Sequence, residues 1–296
     1  MIRGAIFLVV TAIIVAGLIT WAGGSDVIRL LSGVSADHLA AALLLTLILP
    51  ITHAWRLQTV LAAAGYAIGQ RRAFQLTMGA WPISSITPSK SGDLVKAYYL
   101  RHQIPATVTM GGLLAERAID VAVLSVLAFI GSVVFGLPIT ILFSAALLGA
   151  ILAFFLLAPW LSRLPLKPSW RNRIELLLSS STALWRSPRA FTITVILTLT
   201  NWLVTFLVTM VLYDAVGASV PFIYVMAGLP PAVIAGLAPF TVGGMGTRDS
   251  ILILLFEQYA SYAQSLSVGI MYAFYFRWLL SLLGIPFLLR LTQERE

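Results

Sequence analysis

The chain has no cysteine, which excludes disulfides and thiolate metal sites. Its three histidines, His38, His53 and His102, lie far apart and show no metal-ligand spacing. Charged residues are scarce, 10% of 296, where a soluble domain carries about a quarter. A soluble globular chain is therefore excluded. No Walker A sequence is present, so P-loop ATP hydrolysis is excluded too. No nucleophile motif appears, and no stretch is long enough for a separate soluble catalytic domain. Residues 1–296 read as a single integral membrane domain.

Apolar sequence is abundant instead: 59% of residues, with a mean hydropathy of +0.96. The net charge of +8 does not point to nucleic acid. Its Lys and Arg residues cluster between apolar runs, as orientation signals do, and form no continuous basic face. The first run follows Met1-Ile2-Arg3 and is long for a cleaved signal. It lacks a clear small-x-small cleavage site, so an uncleaved first span is expected.

The predicted architecture is an all-α polytopic membrane protein with about six full spans and two re-entrant hairpins. The spans fall near Ala5–Ala22, Leu39–Leu61, Thr107–Phe135, Ile139–Leu161, Ala190–Tyr213 and Ser265–Leu289. The hairpins fall near Ala73–Leu100 and Phe222–Tyr259, each with a proline-interrupted apolar run (Pro82; Pro230-Pro231) and then a glycine turn with charges of both signs. Each is too short to cross and return as two full helices. Irregular backbone at membrane depth is tolerated only inside protein or beside a watery cavity.

The hairpins imply an internal repeat. Half A runs over about 39–135 and half B over about 190–289, with spans 1 and 4 as additions. Pro88 and Pro239 are 151 positions apart, and Arg117 and Arg277 are 160 apart. An odd number of spans separates the hairpins, so the repeat would have inverted topology. With the N-terminus inside, Arg71-Arg72, Lys90–Arg101 and the basic stretch Arg163–Arg189 are all cytoplasmic. The C-terminus is then cytoplasmic as well. The basic stretch carries apolar residues at helical spacing. It suits a helix lying on the inner leaflet, or a packed helix that serves only as a topology signal; both remain open.

A charge inside a span costs roughly 2.5–3.5 kcal/mol on insertion scales, so those present are informative. Glu116, Arg117 and Asp120 share the third span. Arg117 either neutralises the two carboxylates or joins them in lining a cavity for a charged head group. On hairpin 1, Ser91 and Gly92 suit a helix start with free N–H groups. Lys90, Asp93 and Lys96 lie around it. On hairpin 2, Thr247, Arg248 and Asp249 follow Gly243, Gly244 and Gly246. These glycines allow close backbone approach, either to a ligand or to a neighbouring helix. Arg277 supplies a further guanidinium that can fork onto a phosphate. His53 reads as an interior polar group, Arg56 as a snorkelling residue near a span end, and Trp21, Trp160 and Trp202 as interface anchors.

Three motifs together resemble the lysylphosphatidylglycerol synthase transmembrane family, described as flippase-like integral membrane proteins. They are Thr87-Pro88-Ser89-Lys90-Ser91-Gly92-Asp93 with Lys96 and Leu100; Glu116-Arg117-Ala118-Ile119-Asp120; and Gly236-Leu237-Ala238-Pro239 leading to Gly243-Gly244-Met245-Gly246-Thr247-Arg248-Asp249. The sequence departs from the family pattern at Val242, where Pro is frequent, and at Asp249, where Glu is frequent. Both departures leave room for a different head-group preference.

The resemblance implies translocation of an anionic, modified or lipid-linked substrate in a prokaryotic plasma membrane. The best-known members are fused to an enzyme that makes aminoacylated lipid. The expected activity is therefore lipid transport without catalysis or cofactor. The contacts would be Lys90, Arg117, Arg248 and Arg277 for the anion, with Asp93, Glu116, Asp120 and Asp249 orienting them. Expected partners are a membrane lipid and, in a second reading, a lipid-modifying enzyme to which this chain presents lipid. An oligomer is left open. The rival class is a small-anion secondary transporter using the same cavity.

Overall fold

The computed structural model describes residues 14, 16–21, 23–87, 92–161, 168–236, 241 and 244–293. Among them every regular element is helical. The first half contains α1 (Gly24–Ser32), α2 (Ala36–Thr46), α3 (Ile48–Ala63), α4 (Gln70–Ile86), α5 (Val95–Leu100) and α6 (Ala106–Val134). Next come α7 (Pro138–Leu161), α8 (Pro168–Arg186), α9 (Pro188–Ala215), α10 (Phe222–Ala235) and α11 (Thr247–Phe256). The chain ends with α12 (Tyr262–Ala273), a π-helical turn (Phe274–Leu279) and α13 (Leu280–Gln293).

Four stretches are long and apolar enough to cross a membrane: Ala36–Ala63, Ala106–Val134, Pro188–Ala215 and Tyr262–Gln293. They coincide with the expected second, third, fifth and sixth spans, and the protein is a multi-pass, all-α membrane protein. The expected fourth span is the 24-residue helix α7. The expected first span lies largely outside the described residues. Ala36–Ala63 is made of α2 and α3, joined at Leu47 with helical φ and ψ of −66° and −13°. Pro50 falls in the first turn of α3, where its missing N–H removes no helical hydrogen bond.

The two hairpins are helix–break–helix units. The arms α10 and α11 have 14 and 10 residues, roughly 21 and 15 Å at 1.5 Å per residue, against about 30 Å of hydrocarbon. The arms α4 and α5 have 17 and 6 residues. The prolines are not where the helices break. Pro82 lies inside α4, and Pro230 and Pro231 lie inside α10. The breaks come later, after Ile86 and after Ala235. Neighbouring helices make such prolines tolerable by packing against the backbone that the missing N–H leaves open. The Met78 carbonyl, four residues before Pro82, lies directly against Gly284 of α13.

Packing exchanges elements between the halves. Helix α4 lies along α13, while α10 lies along α6. Both pairs run antiparallel. Phe74 meets Phe287 at 5.6 Å between ring centroids, and Trp81 Nε1 donates to Phe276 O at 3.1 Å. At the other pair Phe135 meets Tyr224 at 4.7 Å, and Gly131 abuts Ala227. The equivalent spans α3 and α9 also cross antiparallel, through Thr52–Asn201 and through Arg56 Nη1–Thr198 Oγ1 at 3.0 Å.

The basic-stretch helix α8 is packed. Gly111 of α6 lies against Leu177 and Ser180, and Ser181 and Leu184 are buried. Small residues at this contact let the two backbones approach, as in membrane helix pairs. Of the two readings of this helix, packing against the bundle is the one observed.

Candidate functional site

Charge inside the bundle is gathered rather than scattered. Arg56 is wholly buried. Its Nη2 donates to Glu116 Oε1 at 2.5 Å, and it clasps Asp120 with Nη1 on Oδ1 at 2.6 Å and Nη2 on Oδ2 at 2.9 Å. Such forked, charge-assisted pairs are the strong ones. The sequence reading placed Arg56 near a span end, reaching for water. The structure corrects this: it lies mid-bundle on α3 and ties α6 and α9 together. The signal that could have found it is charge balance. The third span carries two carboxylates and one arginine, and buried carboxylates need cations.

Arg117 is therefore not the sole counter-ion of its neighbours. It pairs with Asp120 at 3.3 Å and with Asp93 of hairpin 1, and more than a third of its side chain stays exposed. Asp93 also takes Lys96 at 3.3 Å and the Ser84 hydroxyl at 3.0 Å. Hairpin 1 is thus tethered to α6 by a carboxylate. The approach of its two arms depends on Gly92, where an added Cβ would stand 2.4 Å from the Ser84 nitrogen. The Gly92 N–H is taken by the Thr87 hydroxyl at 2.8 Å.

Hairpin 2 presents Arg248 from the first turn of α11. Its Nε and Nη2 donate to Asp249 Oδ1 at 2.8 and 2.5 Å, and Nη2 also reaches Gly269 O at 2.7 Å. The guanidinium lies 4.4 Å from the Tyr272 ring centre, a cation–π distance. Asp249 Oδ2 accepts the Gly246 N–H at 2.9 Å. The helix start that suited an external anion is thus capped by the protein's own carboxylate, and anion contact falls to the arginine side chains. Gly244 has φ +73° and lies so close to Gly236 that a Cβ would sit 2.6 Å from its Cα. This glycine serves backbone packing. Thr247 faces Thr241 at 3.2 Å.

Arg277 rides on the π-helical turn, a local irregularity often found at functional positions. Its Nη1 approaches Ser85 O at 3.5 Å. Among the described residues no carboxylate lies within ion-pair distance of it.

These groups surround a cavity of about 220 Å³. Arg117, Asp120, Arg248 and Arg277 line it, together with Tyr272 and Trp202. A smaller lobe of about 40 Å³ adjoins it and is lined by Asp93, Lys96, Ser84 and again Arg117 and Arg277. Glu116 and Asp249 do not line either space; they support Arg56 and Arg248 from behind. Lys90, Ser91 and Gly243 lie outside the described residues. Aromatic lining was missed from the sequence. Trp202, read as an interface anchor, instead walls the cavity, as does His53, which meets Trp81 edge-on at 5.6 Å. By contrast Trp21 is exposed and stacks on Tyr262 at 4.5 Å.

Comparison with known proteins agrees with this architecture. A UPF0104 membrane protein of Methanothermobacter thermautotrophicus is 22% identical over 320 residues, covering 96% of this chain and 94% of that one. The family described as the lysylphosphatidylglycerol synthase TM region matches residues 7–284, a match that takes in both hairpins, the charged third span and Arg277. The chain belongs to the lysylphosphatidylglycerol synthase TM-region family.

Proposed function

We propose that this protein is a lipid transporter of the flippase type. An anionic, phosphate-bearing head group enters the arginine-lined cavity while its acyl chains stay in the bilayer. The observation that carries this reading is convergence. Arg117 from α6, Arg248 from hairpin 2 and Arg277 from the last span line one cavity within a membrane-crossing bundle. Guanidinium groups so held suit forked contacts to phosphate oxygens. The family description, which names the membrane region of an enzyme of lipid modification, supports a lipid as the substrate. A lipid-modifying enzyme is then the natural partner to supply it. The distribution of Lys and Arg supports an orientation with both termini cytoplasmic, and the setting of this reading is a prokaryotic plasma membrane.

Reconstituted vesicles with head-group-labelled anionic lipid test the reading. Wild-type protein is expected to expose inner-leaflet label to a membrane-impermeant quencher, and Arg117→Ala and Arg277→Ala are expected to slow this. Soluble phosphate or other small anions, loaded in parallel, decide against the small-anion alternative. Flux of those anions without lipid movement would replace the lipid reading with that one.

A further inference from the structure

We infer that Trp81 and Ser85 of hairpin 1 are positioning residues for Arg277: their donors hold the π-helical turn that presents this arginine to the cavity. The inference rests on the lipid-transport reading for the use made of Arg277, while the clamp itself is read from backbone geometry.

The turn Phe274–Leu279 departs from α-helical pairing at its end. In an α-helix the Leu280 N–H would reach Phe276 O, four residues back. Here it donates to Arg277 O. Phe276 O instead accepts Trp81 Nε1 at 3.1 Å, and Arg277 O also accepts the Ser85 hydroxyl at 3.4 Å. The Ser281 hydroxyl donates to Ser85 Oγ at 2.6 Å, which commits the Ser85 hydrogen to Arg277 O. A carbonyl shut away from water without a donor is costly, so these outside donors favour the wider turn over plain α-helix. The Trp81 bond is the better made; the Ser85 contact is near the long limit of a hydrogen bond.

Trp81 and Ser85 are four residues apart and share one face of α4. That arm is pressed onto the last span just beyond the turn. A Cβ at Gly284 would stand 2.4 Å from Met78 O and 2.9 Å from Pro82 Cδ. A π-helical turn holds one residue more than the α-helical turn it replaces. Rewinding it would rotate Arg277 by about one residue, roughly 100° at 3.6 residues per turn, and take the guanidinium away from the two lobes it now lines. Ser84, next to Ser85, donates to Asp93, the partner of Arg117. One arm of hairpin 1 therefore bears on both arginines that the lobes share, and a shift of that arm reaches both.

The chain has no cysteine, so Arg277→Cys provides a reporter that needs no lipid. It keeps the carbonyl that the clamp holds and loses only the long contact to Ser85 O. Labelling of the full-length protein by a small methanethiosulfonate in maltoside solution is timed with and without Trp81→Phe and Ser85→Ala together. Trp81→Phe keeps a ring and removes the N–H. Thr205→Cys, on the cavity wall from α9, is the control. Removing both donors is expected to slow labelling at position 277 several-fold and to leave position 205 unchanged. Ser85→Thr, which keeps the hydroxyl, is expected to label at position 277 as the parent does. In vesicles, the double variant with Arg277 intact should move labelled lipid about tenfold more slowly than wild type, and Ser85→Thr at close to the wild-type rate.

Unchanged or faster labelling at position 277 overturns the clamp and leaves the lipid reading untouched. Equal slowing at positions 277 and 205 also overturns it, since the donors would then hold the bundle at large. Slowed labelling at 277 alone, with lipid transport at the wild-type rate, overturns the positioning role. If 277 alone is slowed and even the wild type moves no lipid, the clamp stands and the lipid reading falls. Should the double variant fail to fold, Trp81→Phe and Ser85→Ala are each read singly by the same criteria.

Discussion

Arg56 and Asp120 meet as a two-bond pair, Nη1 to Oδ1 at 2.6 Å and Nη2 to Oδ2 at 2.9 Å, with the arginine wholly shielded from solvent. Thr198 and Glu116 accept further hydrogen bonds from it, while its Nε is left unpaired among the described residues, so one side chain links three transmembrane helices, α3, α6 and α9. A pair this buried is not strong evidence for net stability, because desolvation offsets attraction. Its geometric consequence is clear, however. It fixes the face of α6 from which Arg117, one residue beyond Glu116, reaches the cavity.

Breaking that pair from one side should be severe. Arg56→Ala strands Glu116, which then has no cation at hydrogen-bond distance among the described residues. Loss of about 3–5 kcal/mol is expected, the usual result of leaving a buried charge unpaired. Thermal or denaturant unfolding in detergent measures it. Combining Arg56→Gln with Glu116→Gln should recover part of the loss. A change under about 1 kcal/mol for Arg56→Ala would mean that water reaches the network.

Arg277 should behave in the opposite way. Among the described residues it has no carboxylate to strand, so Arg277→Gln is expected to leave stability within about 1 kcal/mol of wild type or to raise it, since a half-buried charge with no carboxylate partner there is removed. Lipid transport should nevertheless fall by about tenfold or more. The ratio of the two readouts is the check. A large stability loss with proportional loss of transport would make Arg277 a structural residue.

The sequence made some of this legible and hid the rest for identifiable reasons. Long apolar runs carry their own signal, so the spans through Leu49, Leu124, Val208 and Met271 could be placed by hydropathy alone. The hairpins were visible because α10 and α11 are too short to cross. A sequence-based reading puts the break at Pro230 and Pro231, whereas tertiary packing keeps both prolines inside α10. Asp93, Arg117 and Arg277 stood out because charge in an apolar run is rare. The role of Arg56 was hidden because a span end and a span middle differ by only a few residues in sequence. Tyr272 and Trp202 gave no sign of facing a cavity, since aromatic residues serve equally as core and as interface anchors.

Hairpin 1 is held to α6 by Asp93 and Arg117, so these residues should be energetically coupled. The cycle of Asp93→Asn, Arg117→Gln and the double variant is expected to give an interaction energy of about 1–3 kcal/mol in unfolding free energy. Asp93→Asn leaves Lys96 and Arg117 without a shared carboxylate, so the double variant should cost less than the two single changes added. Additive effects would show that the contact holds nothing.

The two arms of hairpin 1 meet at Gly92. A Cβ at Gly92 would lie 2.4 Å from Ser84 N and 2.5 Å from Ile83 C. Both are backbone atoms of α4 and cannot swing aside as a flexible side chain can. Gly92→Ala must therefore push α5 away from α4, stretch the Gly92 N–H bond to Thr87 and pull Asp93 off Ser84. A cost of about 1–3 kcal/mol is expected, typical of overpacking. The displacement can be read directly, because the chain has no cysteine and a single introduced thiol is the sole labelling site. In a Ser84→Cys background, adding Gly92→Ala should speed modification by a water-soluble maleimide several-fold. Gly149→Ala, at a helical position with open space around the added carbon, should not. Equal labelling rates in all three proteins would show that the arms do not rely on this glycine to meet.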